Sequence, residues 1–337
     1  MNDVRYTTLP QWPAAYPPSG ARATLKRLNE DFVVTELPLQ PPCGEGEHLW
    51  LEVEKRGANT AFVAQRLAEA AGVKDVDVGY AGLKDRHAVA RQWFSIHLPK
   101  GGAPDPTRLR HPEFEVLSQS RHVRKLRRGD LLGNRFRIVL RDVTGDRDAV
   151  EANLEAVAAR GVPNYFGAQR FGHGGANVER GRAMLAREIR VRDPKTKGLY
   201  LSAVRSFVFN EVLALRIERG LWGRTLPGDV TDGAGRPTGP LWGRGRVTTT
   251  DEARALENEV AGRHATVCGG MEYAGLDQER RALVASPAEM SWDWPRPDEL
   301  VLAFSLPAGS YATSVLDEIL GTTEPDRHPE NGLEAAG

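Results

Sequence analysis

The chain has 337 residues, of which 40% are apolar and 27% charged, and its 45 lysines and arginines balance 45 aspartates and glutamates. Such a composition fits a globular protein of about two domains with enough chain to bury a core, while its neutrality gives no pointer to nucleic acid. It excludes a disulfide framework or a zinc knuckle, because Cys43 and Cys268 stand far apart and the eight histidines show no metal-ligand spacing.

Residues 1–20 hold four prolines and no apolar run, so they read as an irregular arm and not as a signal peptide. Strands are predicted over Thr24–Leu28 and Phe32–Glu36, around the turn-like Asn29-Glu30-Asp31. Alternation of Leu49, Leu51 and Val53 predicts a strand with one buried face. Thr60 is expected to cap a helix carrying Val63, Leu67 and Ala71, which Gly72 stops. A strand over Val76–Tyr80 leads into a compact loop, Ala81-Gly82-Leu83-Lys84-Asp85-Arg86-His87. Phe94, Ile96 and Leu98 mark one face of the next strand. Phe136, Ile138 and Leu140 give a further strand, and a helix through Val150, Leu154 and Val157 ends at Gly161.

From about Val162 to Asp298 the pattern turns to helices with irregular connections, including a long helix capped by Ser202 and ended by Gly220. Strand returns over Leu300–Leu306, a last helix is expected over Ser310–Leu320, and the final residues read as a polar tail. No stretch approaches the ~20 apolar residues that cross a bilayer. There is no repeat of fixed period, and a cytoplasmic location is the default.

Charge is unevenly placed. Arg121, Arg124, Lys125, Arg127, Arg128, Arg135, Arg137 and Arg141 follow one another with only Asp130 among them. Such a patch can hold phosphates within a neutral protein, or it can be a solvated surface loop. Asp85 stands in a glycine-containing loop directly after a strand, between Lys84 and Arg86. Neighbouring cations keep a carboxylate ionised and suit it to act as nucleophile or general base, although a surface-turn aspartate can have the same neighbours. Gly172, Gly174 and Gly175 have no Walker lysine and lie in no dinucleotide fingerprint. Phe32, Phe136, Phe166 and Tyr311 can stack on a splayed base or fill a core.

Four blocks together resemble the TruD family of tRNA pseudouridine synthases. They are Lys26 with Asn29-Glu30-Asp31-Phe32-Val33-Val34; Gly79-Tyr80-Ala81-Gly82-Leu83-Lys84-Asp85-Arg86 with Gln92-Trp93; His122-Val123-Arg124-Lys125-Leu126-Arg127 continuing to Gly133-Asn134-Arg135-Phe136; and Asn164-Tyr165-Phe166-Gly167 with Gln169-Arg170-Phe171-Gly172. Residues 202–210 and the run from Leu306 to Thr313 add support, so the resemblance runs in order from Thr24 to Leu320.

The resemblance implies conversion of uridine to its C-glycoside isomer, typically at position 13 of tRNA, with no cofactor and no metal. It implies an α+β fold. A pseudouridine-synthase catalytic domain with a mixed, mainly antiparallel sheet and flanking helices would be formed by 21–161 and 299–320. A second, more helical α/β domain over 162–298 would be inserted into it, with an arm over 1–20 and a tail over 321–337. By resemblance Asp85 is the catalytic aspartate, Lys26 its basic partner and Phe136 the aromatic that stacks on the base. Phe32, Asn134 and Tyr311 fall at positions that contact substrate. Tyr311 stands in place of an expected phenylalanine, and Asp317 in place of an expected arginine. Arg86, Arg121, Arg124, Lys125, Arg127, Arg128, Gln169 and Arg170 are the candidate RNA contacts. The expected partner is tRNA, met by a monomer that needs neither a membrane nor a protein partner. An RNA-binding protein without turnover, and an RNA N-glycosidase that releases uracil, are the competing classes.

Overall fold

The computed structural model describes residues 8–325 apart from 100, 103 and 105–108. They form two compact units, each assembled from separate stretches of chain. The sheet unit comprises Gly20–Ala149, Pro287–Gly309 and the described residues from 320 on. The helical unit comprises the described residues up to 19, Val150–Ser286 and Ser310–Ile319.

In chain order the elements are β1 (Arg22–Leu25), β2 (Phe32–Pro38), β3 (His48–Arg56), α1 (Thr60–Ala71), β4 (Val78–Tyr80), β5 (Val89–His97), β6 (Phe114–His122) and β7 (Leu131–Thr144). Then come α2 (Arg147–Arg160), β8 (Val162–Pro163), α3 (Ala176–Leu185), α4 (Pro194–Glu218), β9 (Thr238–Leu241), α5 (Asp251–Arg263), α6 (Ala265–Tyr273), β10 (Glu279–Ala282) and β11 (Val284–Ala285). The chain closes with β12 (Ala288–Arg296), β13 (Glu299–Pro307), α7 (Ala312–Asp317) and β14 (Gly321–Thr323).

The sheet unit is built on one ten-stranded sheet, ordered β12-β13-β7-β2-β5-β3-β6, with β4 on β5 and β1 joining β7 and β14. Among the described residues of this sheet only the β1–β14 and β2–β5 pairings are parallel, which matches the mixed, mainly antiparallel sheet expected. Register decides which side chains share a face, because opposed residues project to the same side. Val34 opposes Phe136, Glu36 opposes Asn134, Lys55 opposes Ala90 and Val53 opposes Gln92. Leu51, Val53, Phe94 and Ile96 bury against Val63 and Leu67 of α1. That helix stops where Gly72 adopts φ 67°, a conformation glycine enters without a Cβ penalty.

The helical unit packs Val204, Val208, Val212 and Leu215 of α4 against Val178, Ala253, Leu256, Val260 and Met271. By length and composition α4 is apolar enough to cross a membrane, contrary to the sequence reading, and 72% of its most apolar 18-residue window is buried in the fold. Its start was also misplaced. The Asp193 carboxylate caps the helix at Thr196 N, with Pro194 in the first turn, so Ser202 lies mid-helix, where its Oγ accepts from Arg170. Thr60 begins α1, but Asn59 is the cap residue.

Other departures follow from packing. The sequence carries no expectation of strand β6, since only the two ends of Phe114–His122 are buried and its centre is polar and exposed. Residues 288–296, read as part of the insert, pair with β13 in the large sheet, whereas α2 from Val150 on belongs to the helical unit. The last helix is shorter than expected. Within the stretch read as a polar tail, β14 pairs with β1, and residues 326–337 of that tail lie outside the described residues. Residues 1–7 of the arm lie outside the described residues; from residue 8 on it is irregular but packed: Leu9 and Trp12 lie on the helical core, and Tyr16 donates its hydroxyl to Gly161 O at 2.6 Å.

Candidate active site

Asp85 sits in the loop between β4 and β5, and that loop is tied down along its length. Ala81 O accepts from Gly129 N at 2.9 Å. Gly82 O accepts from Gln92 Nε2 at 3.4 Å, and Lys84 N donates to Thr60 Oγ1 at 3.0 Å. Thr60 in turn donates to Gln92 Oε1 at 2.9 Å. Asp85 O accepts from Lys55 Nζ at 2.7 Å, and Arg86 Nε donates to Gly57 O at 3.1 Å. Lys84 Nζ lies 2.7 Å from Glu36 Oε2, both side chains being almost sealed from solvent. Lys55 is fully buried and also donates to Ala58 O at 2.7 Å. Burial pushes its ammonium down to about 8 against the opposing pull of Asp85.

The Asp85 carboxylate itself has two partners here. Lys26 Nζ donates to Oδ2 at 2.5 Å and His87 N donates to Oδ1 at 3.0 Å. Burial works against ionising Asp85, but the hydrogen bond and charge of Lys26 outweigh it, so the carboxyl titrates below its ordinary value. Lys26 is buried too. Burial disfavours its charge, yet hydrogen bonds to Asp85 and to Glu324 Oε1, the latter at 2.8 Å, raise its pKa. Its backbone φ is +55°, a left-handed conformation that costs a non-glycine residue about 1–3 kcal/mol and persists only where surroundings impose it. That bend turns the chain at the end of β1. The result is an ionised carboxylate held on two sides, with 29% of its side chain still exposed.

Three further candidates lie in the same unit. The Lys26 ammonium stands 4.9 Å from the centre of the Phe32 ring. Phe32 meets Phe136 edge-on at 6.0 Å, and Phe136 packs on Phe304 at 5.5 Å. Both Phe32 and Phe136 are 7% exposed, so each serves the core while presenting little of its ring. Asn134, two residues before Phe136 on the same face, has a buried Oδ1 with no hydrogen-bond partner among the described residues. A buried acceptor left unpaired costs free energy.

The basic segment divides by use. Arg121 donates to Leu98 O and Gly102 O, and Lys125 donates to Val76 O. Arg124, Arg127 and Arg128 are exposed, with the Arg128 guanidinium 4.9 Å over the Tyr80 ring. Arg86 is exposed as well.

Tyr311, Gln169 and Arg170 belong to the helical unit. Tyr311 is half-buried against its core, and Gln169 is exposed. Arg170 and Arg281 bracket the Phe166 ring at 5.3 and 4.2 Å, and Arg281 donates to Asn164 Oδ1 at 2.6 Å. Glu318, the neighbour of Asp317, binds the amides of Ala15 and Tyr16, and burial pushes its carboxyl up to about 7.

Sequence reasoning missed Glu36, Lys55, Thr60, Gln92 and Glu324, which hold the loop or Lys26. Glu36, Lys55 and Gln92 carried a signal: each occupies the buried register of an alternating strand.

The family model described as tRNA pseudouridine synthase D (TruD) matches residues 15–192. The tRNA pseudouridine synthase D of Cellvibrio japonicus is 46% identical over 313 residues, covering 92% of each chain. That of Xanthomonas axonopodis pv. citri is 42% identical over 346 residues, covering 91% of this chain and 94% of its own. A Methanosarcina mazei crystal structure bearing the same description superposes with a TM-score of 0.69 at 23% identity, covering 93% of this chain and 96% of that one, a likeness of fold. On these matches the chain belongs to the tRNA pseudouridine synthase D family.

Proposed function

We propose that this protein isomerises uridine to pseudouridine in tRNA, at position 13, with Asp85 as the catalytic carboxylate and the sheet unit as the catalytic domain. The observation that carries the reading is the Lys26–Asp85 pair, an ionised carboxylate kept open to solvent on a loop tied down on both sides of it. The reaction breaks the N1–C1′ bond, turns the base, joins C1′ to C5, releases the C5 proton and returns one to N1. Atoms balance, and no electrons enter or leave. Asp85 either attacks C1′ or removes a sugar proton to give a glycal, and both routes start from the ionised form.

Holding the loop at four of its backbone atoms, Ala81 O, Gly82 O, Lys84 N and Asp85 O, keeps that carboxylate in one place, which is what proximity catalysis requires. Phe136 and Phe32 supply ring surface to the extruded uracil. Asn134 Oδ1 accepts from the uracil N3–H, which satisfies its unpaired oxygen. Exposed Arg86, Arg124, Arg127 and Arg128 of the sheet unit take phosphates; in the helical unit Gln169, Arg170 and Tyr311 are the residues that contact the RNA. The protein acts as a monomer.

The test is incubation of the full chain with unmodified tRNA, followed by chemical labelling specific for pseudouridine and a search for free uracil. One labelled site at position 13 with no uracil released supports the reading. Release of uracil would make the protein a glycosidase, and tight binding with neither product would make it a binder alone.

A further inference from the structure

The loop that carries Asp85 presents one large apolar side chain to solvent. Leu83 is 63% exposed, although the residues on either side of it are held: Gly82 through its carbonyl, Lys84 through both its amide and its ammonium. A lone exposed leucine is ordinary. This one stands two residues before Asp85 on backbone pinned on both sides by hydrogen bonds, and cationic chain lies close to its loop. The turn containing Arg127 and Arg128 is hydrogen-bonded to Ala81 through Gly129 N, a Cβ at Gly79 would collide with Leu126 O, and Arg86 is exposed three residues further on. A stiff apolar tip near exposed arginines complements a nucleic-acid strand, whose phosphates are anionic and whose stacked bases are apolar.

We infer that Leu83 is a wedge that enters the base stack of the tRNA and fills the gap left by the extruded uridine. The inference rests on the proposed reading that a uridine leaves the stack to reach Asp85. Extrusion gives up stacking. An apolar side chain inserted into the vacated step recovers part of that loss and hinders the base from returning. Because the loop is already fixed, little backbone order has to be acquired on insertion.

The experiment uses the full chain and tRNA carrying 2-aminopurine beside the target uridine, whose fluorescence rises when its neighbour unstacks. Single-turnover tritium release from C5 of uridine is followed in parallel, together with tRNA affinity. Leu83→Ala should leave affinity within about twofold, abolish the fluorescence rise and slow tritium release by roughly tenfold or more. Leu83→Met, which restores apolar length, should recover both signals. A Leu83→Ala protein with the normal rise and rate would overturn the wedge, and so would one that is slowed while the rise persists, since Leu83 would then act after extrusion. A wild-type chain that releases no tritium fails at the prior step and takes the wedge with it, so the two failures are separable.

Discussion

Lys26–Asp85 and Lys84–Glu36 are two lysine–carboxylate pairs in one unit, with N–O separations of 2.5 and 2.7 Å and both lysines 6% exposed. They differ in the acid: Asp85 keeps 29% of its side chain in solvent, Glu36 only 1%. In the sealed pair each charge is committed to the other and to the fold, because neither can be left alone without a large desolvation cost. In the open pair the lysine is buried and the carboxylate only partly so, and the cation fixes the charge of an oxygen that a substrate can still reach. The contact distances alone do not separate the structural pair from the chemical one. Access to the carboxylate does.

Asp85→Asn should give the largest effect. Tritium release from tRNA labelled at C5 of uridine should fall by about 10³-fold or more, with the melting curve little changed, since Lys26 keeps Glu324 as a partner. Affinity for tRNA should hold or tighten, because an anion facing phosphates is gone. Glu36→Gln should behave in the opposite way: it strands a buried ammonium and should cost about 3–5 kcal/mol in a urea titration, with the rate per folded molecule much less affected than in Asp85→Asn. An unchanged urea midpoint with abolished turnover would invert the comparison.

Lys55→Met should lower kcat by about ten- to a hundredfold with KM for tRNA unchanged, because it removes a cationic hydrogen bond to the Asp85 carbonyl. Equal losses in kcat and stability-corrected binding would make Lys55 a plain core residue. Smallest is the effect of replacing Arg124, Lys125 and Arg127 together by alanine. With Lys125 engaged at Val76 O, the log-log salt slope of tRNA binding should fall by about two units and not three.

The contrast between the two pairs also shows what could be read in advance. Asp85 and Lys26 emerged from family blocks, because a charged loop residue has no local signature that separates catalysis from a turn. The strands were legible where one face is apolar, as over Leu49–Val53 and Phe136–Leu140. The polar centre of the sheet was hidden in those same strands. Glu36 continues the register of Phe32 and Val34, Lys55 that of Leu51 and Val53, Gln92 that of Phe94 and Ile96, and Asn134 that of Phe136 and Ile138. A polar residue on the buried register of one strand is an anomaly, and its coincidence with three others is visible only once pairing is known. The caps of α1 and α4 were misjudged for a related reason: Thr60 and Ser202 have cap chemistry, but each hydroxyl is engaged with a side chain distant in sequence.

The most direct test of the account is the single-turnover rate against pH for the wild type and for Lys26→Met. Asp85 reacts as the ionised form, which is present above its pKa and lost as pH falls through it. With that pKa held below the ordinary value by Lys26, the wild-type rate should show no carboxyl-dependent decline from pH 8 down to about 5. Removing the ammonium leaves burial as the dominant influence, so the Lys26→Met enzyme should be slower and its acid limb should move upward, above the ordinary aspartate value of about 3.9. The same acid limb in both proteins, or a wild-type rate that already fails near neutrality as the carboxyl takes up a proton, would contradict the claim that Lys26 holds Asp85 in its reactive state.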